Sequence, residues 1–466
     1  MKILLYLDPW IDVSERPNFK VVWLQKFLSS TIRDMVAHAN LINDFGVEIK
    51  LIYSDFVDST NIKENYKFID FVAIEQDSLK AIFDNFEDYL ISQRSNECNT
   101  KFEALNHLIK DKLGDFVPDV IIPISSSAKH LKYAFPQSLI LFNESGIFSR
   151  LPYPGSLYFD CYASMDESFL LRHKNELLAL NCNEKEREFL EKIRQFFYPV
   201  IDKSNFYTVQ LGIARKLYQK VILLSLQRFQ SPLFRTQSTF KDQIEYLKYV
   251  FDNVDESIGI IVTEHSSDRI LNCAPIHDYF KNKYKNFVYI PNTEIFPNSS
   301  QSILRMVDGV VTVSSTVGLQ ALLYQKPLFV PSQNSYLNAF ADENDLKKIK
   351  SFFDEGQYKN KDGALYYLIT RYYPTNKYFE DGQWFFNFVD RSLKRFKQGV
   401  DFSFYDKIDS DETLLQNICN PRYITMFEDT IRQLKDTELK QKKPRGIRRL
   451  YKKINKKFNS LRGKKN

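Results

Sequence analysis

Three short runs hold residue types whose order could do chemistry. The first is Val310-Val311-Thr312-Val313-Ser314-Ser315-Thr316-Val317-Gly318, an apolar strand pattern that meets a hydroxyl cluster and then a helix pattern. Ser and Thr are favoured helix N-caps because their oxygens accept the unpaired first-turn amides. Those amides and the positive end of the helix dipole make a ready anion site. Gly318, in the first turn, would let another backbone or a ligand come close. An ordinary capped helix fits the same letters.

The second run is Val262-Thr263-Glu264-His265-Ser266-Ser267. A histidine directly after a buried strand could donate to a phosphate; the alternative is a structural histidine. The third is Phe142-Asn143-Glu144-Ser145-Gly146-Ile147-Phe148-Ser149-Arg150. A carboxylate at a strand end, held near a hydroxyl, is what general-base chemistry needs. Gly146 would permit a sharp turn there. The alternative reading is a turn in which Glu144 pairs with Arg150. The Gly-rich dinucleotide and P-loop patterns and the H-E-x-x-H zinc pattern do not occur. Asp409-Ser410-Asp411 has the D-x-D form of some metal-dependent transferases, but it precedes a helix pattern and reads as a cap.

The elements that must position these runs alternate short apolar stretches with amphipathic ones, which predicts an α/β fold. Strands are expected at Lys2–Leu7, Val47–Tyr53, Asp119–Ile124 and Ser138–Phe142, with a helix over Val22–Asn40. A charged helical stretch, Asn183–Phe197, leads to a domain joint at Tyr198–Asn205. A second series follows. Its strands are Val221–Leu226, Gly259–Thr263, Phe287–Ile290, Gly309–Val313 and Pro327–Val330. Its helices are Lys241–Asp252, Ser299–Met306 and Thr316–Tyr324. Strands apolar on both faces suit parallel sheets covered by helices. After Tyr373 the pattern is mostly helical. Two Rossmann-type domains facing a cleft, with C-terminal helices, correspond to a GT-B-like layout. The expected division is 1–205, 206–372, a helical return at 373–439 and a basic tail at 440–466.

Composition sets limits on this reading. In 466 residues, 44% hydrophobic and 26% charged residues are globular proportions, and 14 glycines exclude a collagen-like or Gly-rich chain. The five cysteines are scattered without a C-x-x-C, so neither a disulfide framework nor a zinc site is expected. No apolar run reaches the roughly 18 residues of a membrane span. The apolar start is too brief for a signal peptide, and a cytoplasmic location is expected. The formal charge of +6 is uneven: residues 440–466 hold 13 Lys and Arg and no acid, so the rest sums to −7. An acidic body without a recognised nucleic-acid motif argues against nucleic-acid binding. In the tail, Ile447, Leu450, Tyr451, Ile454, Phe458 and Leu461 fall on one helical face among cations. That pattern suits a helix lying on an anionic membrane surface.

Taken in order, these runs resemble the bacterial capsule polysaccharide biosynthesis family, which includes capsule Kdo transferases and is related in layout to bacterial sialyltransferases. The resemblance spans about Leu139 to Pro331. Glu144-Ser145-Gly146 looks like the family's acidic-x-Gly motif, and Lys203-Ser204-Asn205 like its Lys/Ser/Asn element. Leu223-Leu224-Ser225-Leu226-Gln227 looks like its strand ending in Leu-Gln. Glu264-His265 looks like its His-Pro motif, with Ser266 in place of Pro. Ser314-Ser315-Thr316-Val317-Gly318-Leu319-Gln320-Ala321-Leu322, followed by Lys326-Pro327, is the most specific match. The family's retaining members carry an Asp shortly after the Leu-Gln strand; here Arg228-Phe229-Gln230-Ser231-Pro232 holds none.

The resemblance implies a metal-independent glycosyltransferase that takes a nucleotide-activated sugar, often a CMP-sugar, as co-substrate and needs no resident cofactor. His265, Ser314, Ser315 and Thr316 would hold the donor phosphate. Glu144 would be the catalytic carboxylate, and Gly146, Arg150, Lys203, Gln227 and Gly318 would support the site. The acceptor would be a surface or capsular polysaccharide or its lipid-linked precursor, met at the inner face of the membrane through residues 440–466. The missing Asp motivates a second reading, a non-catalytic scaffold of a polysaccharide-assembly complex that retains the fold.

Overall fold

Lys2–Leu7 (β1) is apolar on both faces, and Ile3, Leu4, Leu5 and Tyr6 are completely buried. Such a strand is stable only between two neighbours and under helices on both sides. The computed structural model describes residues 1–8, 24–42, 46–55, 60–92, 99–124, 128–164, 167–203, 208–229, 232–265, 268–288 and 299–442. In it β1 lies at the centre of a sheet, between Glu48–Ser54 (β2) and Val120–Ile124 (β4). Ile69–Ile74 (β3) and Leu139–Ile140 (β5) are the edges, and all four pairings are parallel. The order is β3-β2-β1-β4-β5.

The edge strand β3 is absent from the sequence reading. Only its end residues are buried, so its apolar signal is diluted. The strand expected at Ser138–Phe142 is also corrected. Parallel pairing ends where the Leu141 amide donates to Ile121 O (2.8 Å). Phe142–Ser145 (β6) then leaves the sheet and pairs antiparallel with Leu157–Asp160 (β7).

The second sheet repeats the first. Lys220–Ser225 (β8) is central, and Ile258–Thr263 (β9), Phe287–Val288 (β10), Gly309–Val311 (β11) and Leu328–Phe329 (β12) complete it. Its order is β10-β9-β8-β11-β12, again all parallel. Both sheets have the doubly wound, Rossmann-type order, in which ligands bind beyond the strands' carboxyl ends where the winding reverses. In the second sheet that switch lies between β8 and β11.

The joint expected at Tyr198–Asn205 falls on the end of one helix, Glu184–Lys203, which runs on through Pro199. Ser204 and Asn205 lie outside the described residues. This helix ties the halves together. The buried Arg194 donates to Leu323 O (2.7 Å) and pairs with the carboxylate of buried Asp362. The largest apolar cluster is continuous across both sheets, from Ile3 and Ile122 to Leu223 and Val310.

The C-terminal helices return to the first sheet. Helix Gly382–Lys397 packs on helix Arg33–Ile42. The approach is so close that a Cβ on Gly382 would lie 2.2 Å from the Asp34 carbonyl carbon. Glycine is required there by contact with backbone. No described helix is long and apolar enough to cross a membrane. The amphipathic pattern from Ile447 onward lies outside the described residues.

Candidate active site

The switch point between β8 and β11 is where the second-domain motifs meet. Gln227, two residues beyond β8, reaches across and accepts from Ser314 through its amide (2.8 Å) and its hydroxyl (3.1 Å). Ser314 is buried, so its two donors are committed to Gln227. Its neighbour Ser315 is the N-cap of helix Thr316–Leu323, and its Oγ accepts the Val317 amide (3.3 Å). The first amides of a helix have no partner within it. Thr316 holds the first of them, and that amide has no hydrogen-bond partner among the described residues. Ser315 and Thr316 are half-buried at this end.

Gly318 has a role other than the one expected. A Cβ there would lie 2.6 Å from Leu337 Cδ1, and Leu337 is completely buried. The space it leaves is filled by a side chain of its own domain.

His265 follows β9, which neighbours β8, and forms a bridge with Asp268. Burial holds its imidazole below the ordinary value, and the positive charges of Arg150 and Arg228 add to this against the pull of Asp268. Arg150 belongs to the first half of the chain. His265 therefore sits in a cationic field supplied from both domains. Arg228 is passed over when its stretch is read only for a carboxylate; a basic residue directly after the Leu-Gln strand is the signal that could have found it.

The segment after Glu144 docks onto the helix that Ser315 caps. Ser149 Oγ and Thr316 Oγ1 are 3.0 Å apart, and Gln320 Nε2 donates to Ile147 O (3.0 Å). The hydroxyls of Tyr153 and Tyr324 also hydrogen bond. Ser149 and Gln320 stand inside the runs quoted from sequence, yet nothing in either run says that they meet.

Glu144 is the third residue of β6, opposite Tyr158 of β7. It is half-buried, and its Oε1 accepts the Ser145 amide (2.8 Å). Burial raises its pKa, with the Ser145 bond opposing. Its charge is felt by Tyr158 and by Tyr336 of the second domain, so it faces the joint between the domains. Among the described residues it forms no ion pair with Arg150, which removes the paired-turn alternative. The Ser149–Thr316 contact and the charge of Arg150 on His265 link the segments of Glu144 and His265.

Gly146 is required for space, not for a turn. Its φ is not positive. A Cβ would lie 2.6 Å from Ser156 Oγ and 2.7 Å from Tyr373 Cδ1. Lys203 ends its helix, and its side chain lies outside the described residues, as does Ser266. Ser410 caps helix Asp411–Ile418 by accepting the Thr413 amide (3.2 Å), as read for the D-x-D run. Among the described residues no three His, Cys, Asp or Glu cluster in a way that could hold a metal.

Two Rossmann-type sheets of the same winding, with the segment after Glu144 docked on the helix that Ser315 caps, define a GT-B-like protein. Residues 187–350 match the family described as capsule polysaccharide biosynthesis protein. This is the family the motifs resemble, and the match takes in Gln227, His265 and Ser314–Thr316 but stops short of Glu144. Among solved structures, Thermosulfurimonas dismutans KpsC, a beta Kdo 2,7 transferase, aligns at 12% identity, with 80% of this chain and 92% of that one covered and a TM-score of 0.34. The UDP-GlcNAc 2-epimerase of Neisseria meningitidis aligns at 12% identity over 84% and 100%, with a TM-score of 0.33. A glycosyltransferase from Rickettsia africae aligns at 11% over 85% and 98%, with a TM-score of 0.31. Comparison with curated proteins returns no match.

Proposed function

We propose that the protein is a glycosyltransferase that moves a sugar from a nucleotide-activated donor, a CMP-sugar in the favoured form, to a surface or capsular polysaccharide or its lipid-linked precursor. The observation that carries this is the β8/β11 switch point. A helix start whose first amide has no partner among the described residues, with two half-buried hydroxyls, lies there, and the histidine that follows the neighbouring strand β9 sits in a field of two arginines. As the glycosidic bond breaks, the leaving nucleotide gains negative charge. The Thr316 amide, the helix dipole and His265 oppose that charge from fixed positions, so little reorganisation is needed. Glu144, on the first-domain side, takes the proton of the acceptor hydroxyl. In this reading the nucleotide sugar is a co-substrate and no resident cofactor takes part.

The pH dependence of nucleotide binding tests the phosphate site. In the empty site His265 is held below its ordinary value. A bound phosphate favours the protonated ring and raises that value. Affinity is therefore full below the lowered empty-site pKa and falls as pH rises from there through the raised bound-state pKa. Calorimetric titration with CMP and UDP should show proton uptake in this range. His265→Ala should flatten the profile and weaken binding about 10- to 100-fold, the worth of a charge-assisted hydrogen bond. Ser315→Ala should weaken binding with the pH slope retained. Unchanged affinity in both variants would remove the assignment. A donor screen with mass-spectrometric product detection identifies the sugar. Failure of every nucleotide and nucleotide sugar to raise the melting temperature would instead favour a non-catalytic scaffold.

An enzyme that extends a membrane-associated glycan gains from being held at the inner leaflet, and residues 440–466 fit that task. Each basic residue near an anionic surface contributes about 1 kcal/mol. The full chain should co-sediment with anionic vesicles at low salt and be released by high salt. A chain ending at residue 439 should remain in the supernatant; equal binding by the two forms would disprove tail anchoring.

A further inference from the structure

The C-terminal return segment builds a second concave site that no residue of the candidate active site lines. Its walls are the π-helical turn Leu368–Tyr372, helix Gly382–Lys397 and the loop 404–408, and its cavity volume is about 30 Å³, room for a small anionic group. Phe159, on the strand paired with the one that carries Glu144, lines it too, and the lining residue Tyr372 stacks on Tyr158 at 5.2 Å.

Four cations line this pocket, Arg371, Arg391, Arg395 and Lys407, against one carboxylate, Asp406. Two of the four are engaged. Arg395 donates to Phe404 O (2.7 Å) and pairs with Asp406; Lys407 pairs with Asp411 (2.9 Å). Arg371 and Arg391 have no carboxylate partner among the described residues. Arg371 donates once, to Tyr405 O (3.2 Å), and the Arg391 Nε donates to Asn387 O (3.2 Å). A guanidinium carries five N–H donors in a planar fork. Most of those on these two residues are therefore left for a ligand or water. Beside them, the half-buried rings of Trp384 and Phe388 stack at 5.4 Å with 4° between their planes.

We propose that this pocket takes the carboxylate or phosphate group of an anionic sugar unit of a glycan, with the sugar ring at its mouth. Guanidinium forks match carboxylate and phosphate geometry two bonds at a time, with a specificity that lysine lacks. An aromatic platform beside them suits the apolar C–H face of a pyranose ring. The π-helical turn helps to assemble the site, since such turns shift side chains out of the regular helical register and recur at functional positions. The inference rests on the transferase reading only in placing the sugar unit within an acceptor glycan; anion binding here stands without it.

The test is calorimetric titration of the full chain with trigalacturonate, glucose 1-phosphate and neutral maltotriose. At least one anionic probe should bind at least tenfold more tightly than maltotriose, and the better of the two tells carboxylate from phosphate. Arg391→Glu should weaken that binding at least tenfold. This residue is exposed on its helix and should leave the melting temperature unchanged. Arg391→Lys should retain part of the affinity, and Arg371→Gln should weaken it independently. His265→Ala should leave it unchanged, which separates this pocket from the nucleotide site. Absence of binding by both anionic probes would overturn the proposal. So would binding that survives Arg391→Glu, since the anion would then sit elsewhere, the basic tail included, and so would binding lost in His265→Ala.

Discussion

Glu144→Gln is expected to lower sugar transfer by 10²- to 10⁴-fold, the usual contribution of a positioned general base. Gln keeps the shape and the acceptor for the Ser145 amide but cannot take a proton. Nucleotide affinity should be unchanged, because the proposed phosphate contacts, His265 and the Thr316 amide, lie on the other domain. The wild-type pH profile carries a second signature. Burial raises the Glu144 pKa, so the carboxylate form is present above that raised value and lost as pH falls through it. The acidic limb of the rate should therefore lie above the usual carboxylate range, and Glu144→Gln should remove it. A variant that keeps more than a tenth of wild-type turnover would place the base elsewhere.

Arg194→Ala is expected to destabilise the protein by about 3–5 kcal/mol, the cost of leaving one member of a buried ion pair without its partner. Side-chain exposure is only 4% for Arg194 and 8% for Asp362. Asp362 would keep weaker donors, Gln325 Nε2 at 3.1 Å and the Asn360 side chain at 3.4 Å. The damage should reach the site as well. Arg194 Nε also holds Leu323 O at the far end of the helix that Ser315 caps. Nucleotide binding is thus expected to weaken together with the denaturation midpoint. Replacing both partners, Arg194→Met with Asp362→Leu, should recover most of the stability, because no buried charge is then left over. A loss below about 1 kcal/mol in Arg194→Ala would mean that water reaches Asp362.

The second sheet is legible in the amino-acid sequence alone. Its strands are apolar runs, and helix Gln243–Asn253 alternates buried and exposed positions at helical spacing, so local pattern and buried environment agree. The first sheet is legible at its centre and poor at its edges. β3 carries too few buried positions to stand out, and Phe142 is as apolar as the strand before it although it pairs in another direction. Pairing direction depends on a distant partner, here Asp160, and no local pattern records it.

Residue type and spacing determined which segments are candidates for chemistry. A hydroxyl run before a helix, a histidine after a strand and a carboxylate at a strand end are local features, because capping and strand termination are set by a few adjacent residues. The tertiary structure decided what each of them faces. It committed Ser314 to Gln227, filled the space at Gly318 with Leu337 and gave Gly146 a packing role. Among the described residues it left Glu144 without an ion pair to Arg150, and it brought the charges of Arg150 and Arg228 to His265 from opposite halves of the chain. These outcomes depend on how two sheets dock through a shared apolar core and the buried Arg194–Asp362 pair. Docking of that kind is a sum over contacts between residues far apart in sequence, so no single run can encode it.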